Sequence, residues 1–173
     1  PGGLLQEAGS IIWKDGSCLG YGRGQSPEQA EFNFKRDTDY CSGAFLLTYT
    51  HLFRKHGGFD TIFSPAYYEE TDFCMWLWQN HYRIIYDPNV CIRHFEFGSG
   101  INEKGIQLQK QNQKTFKERH KNALENHLPH NKANITEARH ARNSKKKIRL
   151  LYIDDQIPHK HLGAGFPRSN FII

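Results

Sequence analysis

Glu69, Glu70 and Asp72 place three carboxylates within four positions, between the aromatic loop Phe63-Ser64-Pro65-Ala66-Tyr67-Tyr68 and the apolar run that begins at Phe73-Cys74. Neighbouring carboxylates repel one another, so at least one has a raised pKa, and cover from Tyr67 and Tyr68 would raise it further. A carboxylate tuned in this way is suited to act as a general base. The same residues also suit an ordinary acidic first turn, because the macrodipole favours Glu and Asp at a helix N-terminus.

The elements that must position this turn follow from the surrounding pattern. Leu4 to Trp13 reads as a strand closed by the turn Trp13-Lys14-Asp15-Gly16, and Gly20 to Pro27 as a glycine-rich loop. Tyr40 to Thr48 reads as a strand in which Ser42-Gly43 permits close backbone approach, and Thr50 to Lys55 as a short helix stopped by Gly57-Gly58. A helix is predicted from Thr71 to Asn80, then a strand from Arg83 to Asp87 and another from Val90 to Phe95 that carries His94.

Four ordered pieces carry a resemblance: Asp39-Tyr40-Cys41-Ser42-Gly43-Ala44-Phe45-Leu46-Leu47, Gly57-Gly58-Phe59-Asp60, Tyr68-Glu69-Glu70-Thr71-Asp72, and Tyr82-Arg83-Ile84-Ile85-Tyr86 running on to His94. Taken together and in this order, they make residues 1–102 resemble the C-terminal half of a family-2, GT-A-type glycosyltransferase of the rhamnosyltransferase-like branch. The resemblance implies an α/β fold and transfer, with inversion, of a sugar from a nucleotide-diphosphate donor to a saccharide or lipid-linked saccharide acceptor. Its acidic motif has the form Glu-Asp-x-Asp, whose second acid deprotonates the acceptor hydroxyl. That position is Glu70 here, one methylene longer than the family's aspartate, with Asp72 the second candidate. Glu69 and Tyr68 would orient the acceptor, beside Ser42 and Gly43. His94 matches a position near the nucleotide diphosphate that completes the shell of a divalent cation, Mn or Mg, in some relatives; a core histidine held by hydrogen bonds would fit equally well. Asp37-Thr38-Asp39 has the D-x-D form used for that metal, but it immediately precedes the Ser42-Gly43 segment. The family's metal-binding D-x-D belongs to the nucleotide-binding half, outside this chain. Asp37 and Asp39 are therefore read as loop acids, with Asp39 toward the acceptor side. The Gln-x-x-Arg-Trp signature of processive synthases is absent, since Trp76-Leu77-Trp78-Gln79 does not supply it, which points to single-sugar transfer.

Charge divides the chain more sharply than its net of +5 indicates. Residues 1–100 carry 8 Lys+Arg against 12 Asp+Glu, residues 101–149 carry 13 against 4, and the remainder is balanced. Apolar residues in the basic segment are sparse, yet 116, 120, 124 and 128 are spaced as a helix face. This predicts a solvated helix from Glu103 to Asn126 and a Pro129-containing polar linker through Lys147. A nucleic-acid surface would need stacking aromatics beside the charge, and only Phe116 is available, so no nucleic-acid partner is expected. A tether with peripheral contact to anionic headgroups needs nothing more than the charge. His120, His127, His130 and His140 share no metal-ligand spacing on one helix face.

Beyond the linker, Lys147 to Asp155 reads as a buried strand followed by the loop Gly163-Ala164-Gly165-Phe166-Pro167-Arg168. A strand opening into a glycine loop is how a Rossmann-like domain begins, and residues 148–173 resemble the start of a family-4, GT-B-type glycosyltransferase. With Pro1-Gly2-Gly3 at one end and Phe171-Ile172-Ile173 at the other, the chain reads as a piece of a two-transferase protein, inactive alone and completed by the missing parts of its parent. Cys18, Cys41, Cys74 and Cys91 form no C-x-x-C pair, which predicts reduced thiols in a cytoplasmic protein, at the inner face of the membrane if the tether binds there. The sequon Asn134-Ile135-Thr136 is accordingly read as chance. The expected role is bacterial surface polysaccharide synthesis. The alternative is a non-catalytic module that binds carbohydrate through its Tyr and Trp rings, or polyanions through the basic segment.

Overall fold

The structure is a computed structural model, and it describes residues 3–95 and 103–140. These form a mixed α and β arrangement of two small antiparallel sheets and several helices. Strand β1 (Ser10–Ile12) pairs with β2 (Cys18–Gly20), placing Ile11 opposite Leu19. The turn between them forms because Asp15 accepts hydrogen bonds from both the amide and the hydroxyl of Ser17, at 2.9 and 2.6 Å, while Gly16 takes a left-handed φ of 80°. Strand β3 (Arg36–Asp37) pairs with β4 (Ile85–Tyr86), and Thr38 extends the ladder by donating to Ile84 O.

Helix α1 (Thr50–His56) ends as the sequence predicts. Gly57 turns left-handed at φ 97°, and the amides of Gly57 and Gly58 return to the carbonyls of Arg54 and Phe53. Helix α2 (Glu69–Gln79) is central: Phe73, Cys74, Met75, Leu77 and Trp78 are all buried. The Trp78 indole N–H donates to the carbonyls of Thr38 and Asp39, tying α2 to the end of β3.

Two predicted strands are not strands. In Tyr40 to Thr48 only Tyr40 bridges to Ser10; beyond it the Ser42 hydroxyl accepts the amide of Ala44 and the chain turns. Such local bonds compete with a ladder. Val90 to Phe95 also joins no sheet, following a turn in which Asp87 accepts the amides of Asn89 and Val90 through side chain and backbone.

The basic segment differs most from the expected solvated helix and linker. It forms α3 (Glu103–Arg119), a break at His120, α4 (Lys121–Leu124) and α5 (Ile135–Ala138). Asn112, Phe116, His120, Leu124 and His127 are all buried. Phe116 and Leu124 join the cluster around Ile12, Phe63, Tyr68, Phe73 and Met75, while Ala138, with Leu128 and Ile135 at its edge, joins a second cluster of Ala8, Ile11, Trp13, Tyr21 and Phe32. A helix whose buried face is Asn, Phe and His hides its burial from a hydrophobicity reading, because its polar members are satisfied by partners far away in sequence. Among the described residues no helix is long and apolar enough to cross a membrane. The expected strand and glycine loop of residues 148–173 lie outside the described residues.

Candidate active site at the head of the central helix

The acidic turn is presented by a strained loop. After the short 3-10 turn Thr61–Phe63, Tyr67 and Tyr68 both take left-handed backbone angles, φ 74° and 78°, and Tyr68 is the residue from which α2 starts. Each such residue costs about 1–3 kcal/mol and persists only where its surroundings fix it. Here the surroundings come from α3 and from the β1–β2 turn. The Asn112 amide lies 3.0, 2.9 and 3.0 Å from the carbonyls of Phe63, Ala66 and Tyr67 and donates to them. The Tyr68 hydroxyl donates to Gly16 O at 2.9 Å, and its ring packs 5.3 Å from that of Phe116.

The three acids of the turn meet three different environments. Glu70 is half-buried, and burial pushes its carboxyl up to about 6; backbone amides of Glu70, Gly43 and Thr71 oppose the shift, and the neighbouring Glu69 charge adds to it. Gly43 faces it so closely that an added Cβ would lie 3.9 Å from the Glu70 side chain. Of the residues expected on the acceptor side, Gly43 and Glu70 are therefore together, with Gly43 on the exposed side. Cys18, Tyr40 and Tyr68 line the inner side; burial pushes the pKa of each up, and the Glu70 charge adds to it. These groups stay protonated, which leaves Glu70 as the carboxylate facing the Gly43 loop.

Glu69 is half-buried, and its Oε2 has no hydrogen-bond partner among the described residues. Asp72 lies inward instead, 2 % exposed. Its Oδ2 accepts from Arg119 Nη1 at 3.0 Å and its Oδ1 from His120 Nε2 at 2.7 Å, with His56 Nε2 at 3.8 Å. Arg119 also binds Asp60 at 2.9 Å, and Asp60 is held below the usual carboxylate range by the amide of Ile62 and by Arg119. Asp72 thus ties α2 to α3.

The remaining candidates lie elsewhere. His94 is exposed, with Nδ1 2.9 Å from the Gln6 carboxamide oxygen, and not on a strand. One ring nitrogen and one carboxamide fall short of the ligand set that Mg²⁺ or Mn²⁺ takes from protein, so the described residues around His94 do not by themselves fit the ion. No group of three or more His, Cys, Asp or Glu suited to a metal occurs among the described residues. Of the two acids read as loop residues, Asp37 is on a strand and Asp39 lies in the bend that follows it. Asp37 sits on β3 and pairs with Arg83 at 2.8 Å. Asp39, 1 % exposed, accepts the amide of Ile12 at 2.9 Å, and its Oδ2 lies 3.8 Å from His127, so it faces the core and not an acceptor.

Sequence reasoning missed Asn112, Arg119 and His120. The signal present in the chain is spacing: 112, 116, 119 and 120 fall on one face of a helix, and every one of them reaches the segment from Asp60 to Asp72. Among known proteins, the chain matches no family model, no curated protein and no solved structure.

Proposed function

We propose that this chain is the acceptor side of an inverting, GT-A-type glycosyltransferase in which Glu70 is the general base. The observation that carries the reading is the Glu70 carboxyl, raised to about 6 by burial and set against the exposed Gly43 loop at the head of α2. A base of that strength is ionised at neutral pH yet takes a proton more readily than a free carboxylate. In the reaction, Glu70 accepts the proton of an acceptor hydroxyl while that oxygen bonds to the anomeric carbon of a nucleotide-diphosphate sugar. The bond to the leaving diphosphate breaks from the opposite face, and the diphosphate departs with the electron pair. Glu69 and the Ser42-Gly43 loop supply the groups that orient the acceptor. The donor, and a Mn or Mg ion if one is used, would be held by a nucleotide-binding half outside this chain. A carbohydrate-binding module would draw on the rings left at the surface, Tyr49 and Tyr67 with the half-buried Trp76 and Tyr82, because Trp13, Trp78 and Tyr68 are buried.

In the complete transferase that this reading implies, Glu70→Gln keeps shape and removes basicity. Turnover should fall about a hundredfold or more while donor binding changes little. Asp72→Asn should act through stability, with turnover recovering at temperatures where the variant is folded. Full turnover in Glu70→Gln, or its loss in fully folded Asp72→Asn alone, would sink the assignment.

A further inference from the structure

We infer that Asn112, on the basic helix α3, is a positioning residue for the acid at the head of α2, acting through the backbone of the loop that presents it. The inference rests on the reading of Glu70 as base and extends it to a residue 42 positions downstream. Asn112 is 2 % exposed, and the contacts of its amide nitrogen are the three carbonyls of Phe63, Ala66 and Tyr67. Those carbonyls belong to the stretch in which the chain reverses into left-handed Tyr67 and Tyr68. Without donors in this place, the Phe63 carbonyl would be left unpaired in the interior and those of Ala66 and Tyr67 at its edge, and the chain would rotate to reach water. Rotation at Tyr67 or Tyr68 moves Glu69 and Glu70 directly, since the helix begins at the next residue. The other residues on this face of α3 act differently. Phe116 packs on the Tyr68 ring, and Arg119 and His120 hold Asp72, beyond the acid that matters. Asn112 alone of these contacts the backbone of the presenting loop.

Asn112→Asp is isosteric and replaces the donors by acceptors; Asn112→Gln retains an amide. Phe116→Leu loosens the same helix interface without touching the loop carbonyls. Carboxyl-carbon NMR titration of Glu70 in the 173-residue chain reads the geometry independently of activity. In Asn112→Asp the Glu70 midpoint should fall from about 6 toward the ordinary 4.5, as the loop opens to water. In Phe116→Leu it should stay near 6, and in Asn112→Gln it should return at least half of the way. If Asn112→Asp fails to fold, Asn112→Ser, which retains one donor, is titrated instead, with a fall expected. An unchanged midpoint in a folded Asn112 variant, or an equal fall in Phe116→Leu, overturns the inference. Turnover in the complete transferase separates this from the reading beneath it. If Glu70→Gln abolishes turnover and the Asn112 variants leave the Glu70 midpoint unmoved, positioning fails and the base stands. If the midpoint moves as expected but Glu70→Gln is fully active, the base fails and the loop contact stands.

Discussion

Glu70 and Asp72 are two residues apart on one helix turn, and the fold gives them opposite tasks. Asp72 looks inward to a guanidinium and an imidazole, and Glu70 looks toward the Gly43 loop with little positive charge to hold its anion. The sequence shows where the acids stand but not which one is tied, because the residues that tie Asp72 lie 47 and 48 positions away. Linkage makes the difference measurable. The folded-state pKa of Glu70 is raised above its unfolded value, so the folded chain binds this proton more tightly between about 4.5 and 6. Below that window both states are protonated and no cost is felt. As pH rises through it, ionised Glu70 costs the fold an amount on the order of 1–2 kcal/mol. Glu70→Gln should therefore match the parent in melting temperature near pH 4 and exceed it above pH 7. Curves for parent and variant that run parallel across that range would show that Glu70 is not desolvated in the folded chain.

At the scale of elements, α3 departs from the usual rule that a helix docks through aliphatic residues. Its buried face offers one ring, Phe116, flanked by Asn112 and His120, and each polar member has a defined partner. The helical period of the segment is legible in the sequence, and so are α1 with its glycine stop and α2 to within two residues. What is not legible is docking. Phe116 stands in a run of Lys, Gln and Asn, and only the tertiary contacts decide whether its face meets water or Tyr68. The two mistaken strands fail for a related reason: β-branched and aromatic residues make Tyr40 to Thr48 and Val90 to Phe95 look extended, while ladders need a neighbour, and among the described residues none is brought to them beyond the single bridge of Tyr40 to Ser10. Removing the ring tests the docking. Phe116→Ala should cost about 3–5 kcal/mol of stability, the range for a fully buried aromatic, whereas a solvated helix would lose almost nothing. Chemical denaturation of parent and variant separates the two.

Across the whole molecule, residues 103–140 complete both apolar clusters. Phe116 and Leu124 close the first and Ala138 the second, while the Arg36 guanidinium, stacked between Tyr21 and Tyr86, donates to Arg139 O at 2.9 Å. A chain ended after Phe95 would leave both clusters open along one side and Asp72 without Arg119 and His120. Such a chain should lose the cooperative thermal transition expected of the 173-residue chain by circular dichroism. The same contacts impose an order of events on a chain made from its N-terminus. The ties that hold the acid turn span 45 to 49 residues, His127 reaches Ile12 across 115, and Arg36 reaches Arg139 across 103. Contacts of that sequence separation are closed late, because the loop entropy is lost before the contact stabilises anything. On the ribosome, then, residues 60–72 emerge after Gly16 and His56 but well before Asn112, Arg119 and His120, and Asp72 gains its two hydrogen-bond donors only when 47 and 48 further residues have been added. The carbonyls of Phe63, Ala66 and Tyr67 have no Asn112 amide until that stretch is made, so the geometry of the acid turn is completed only when α3 docks.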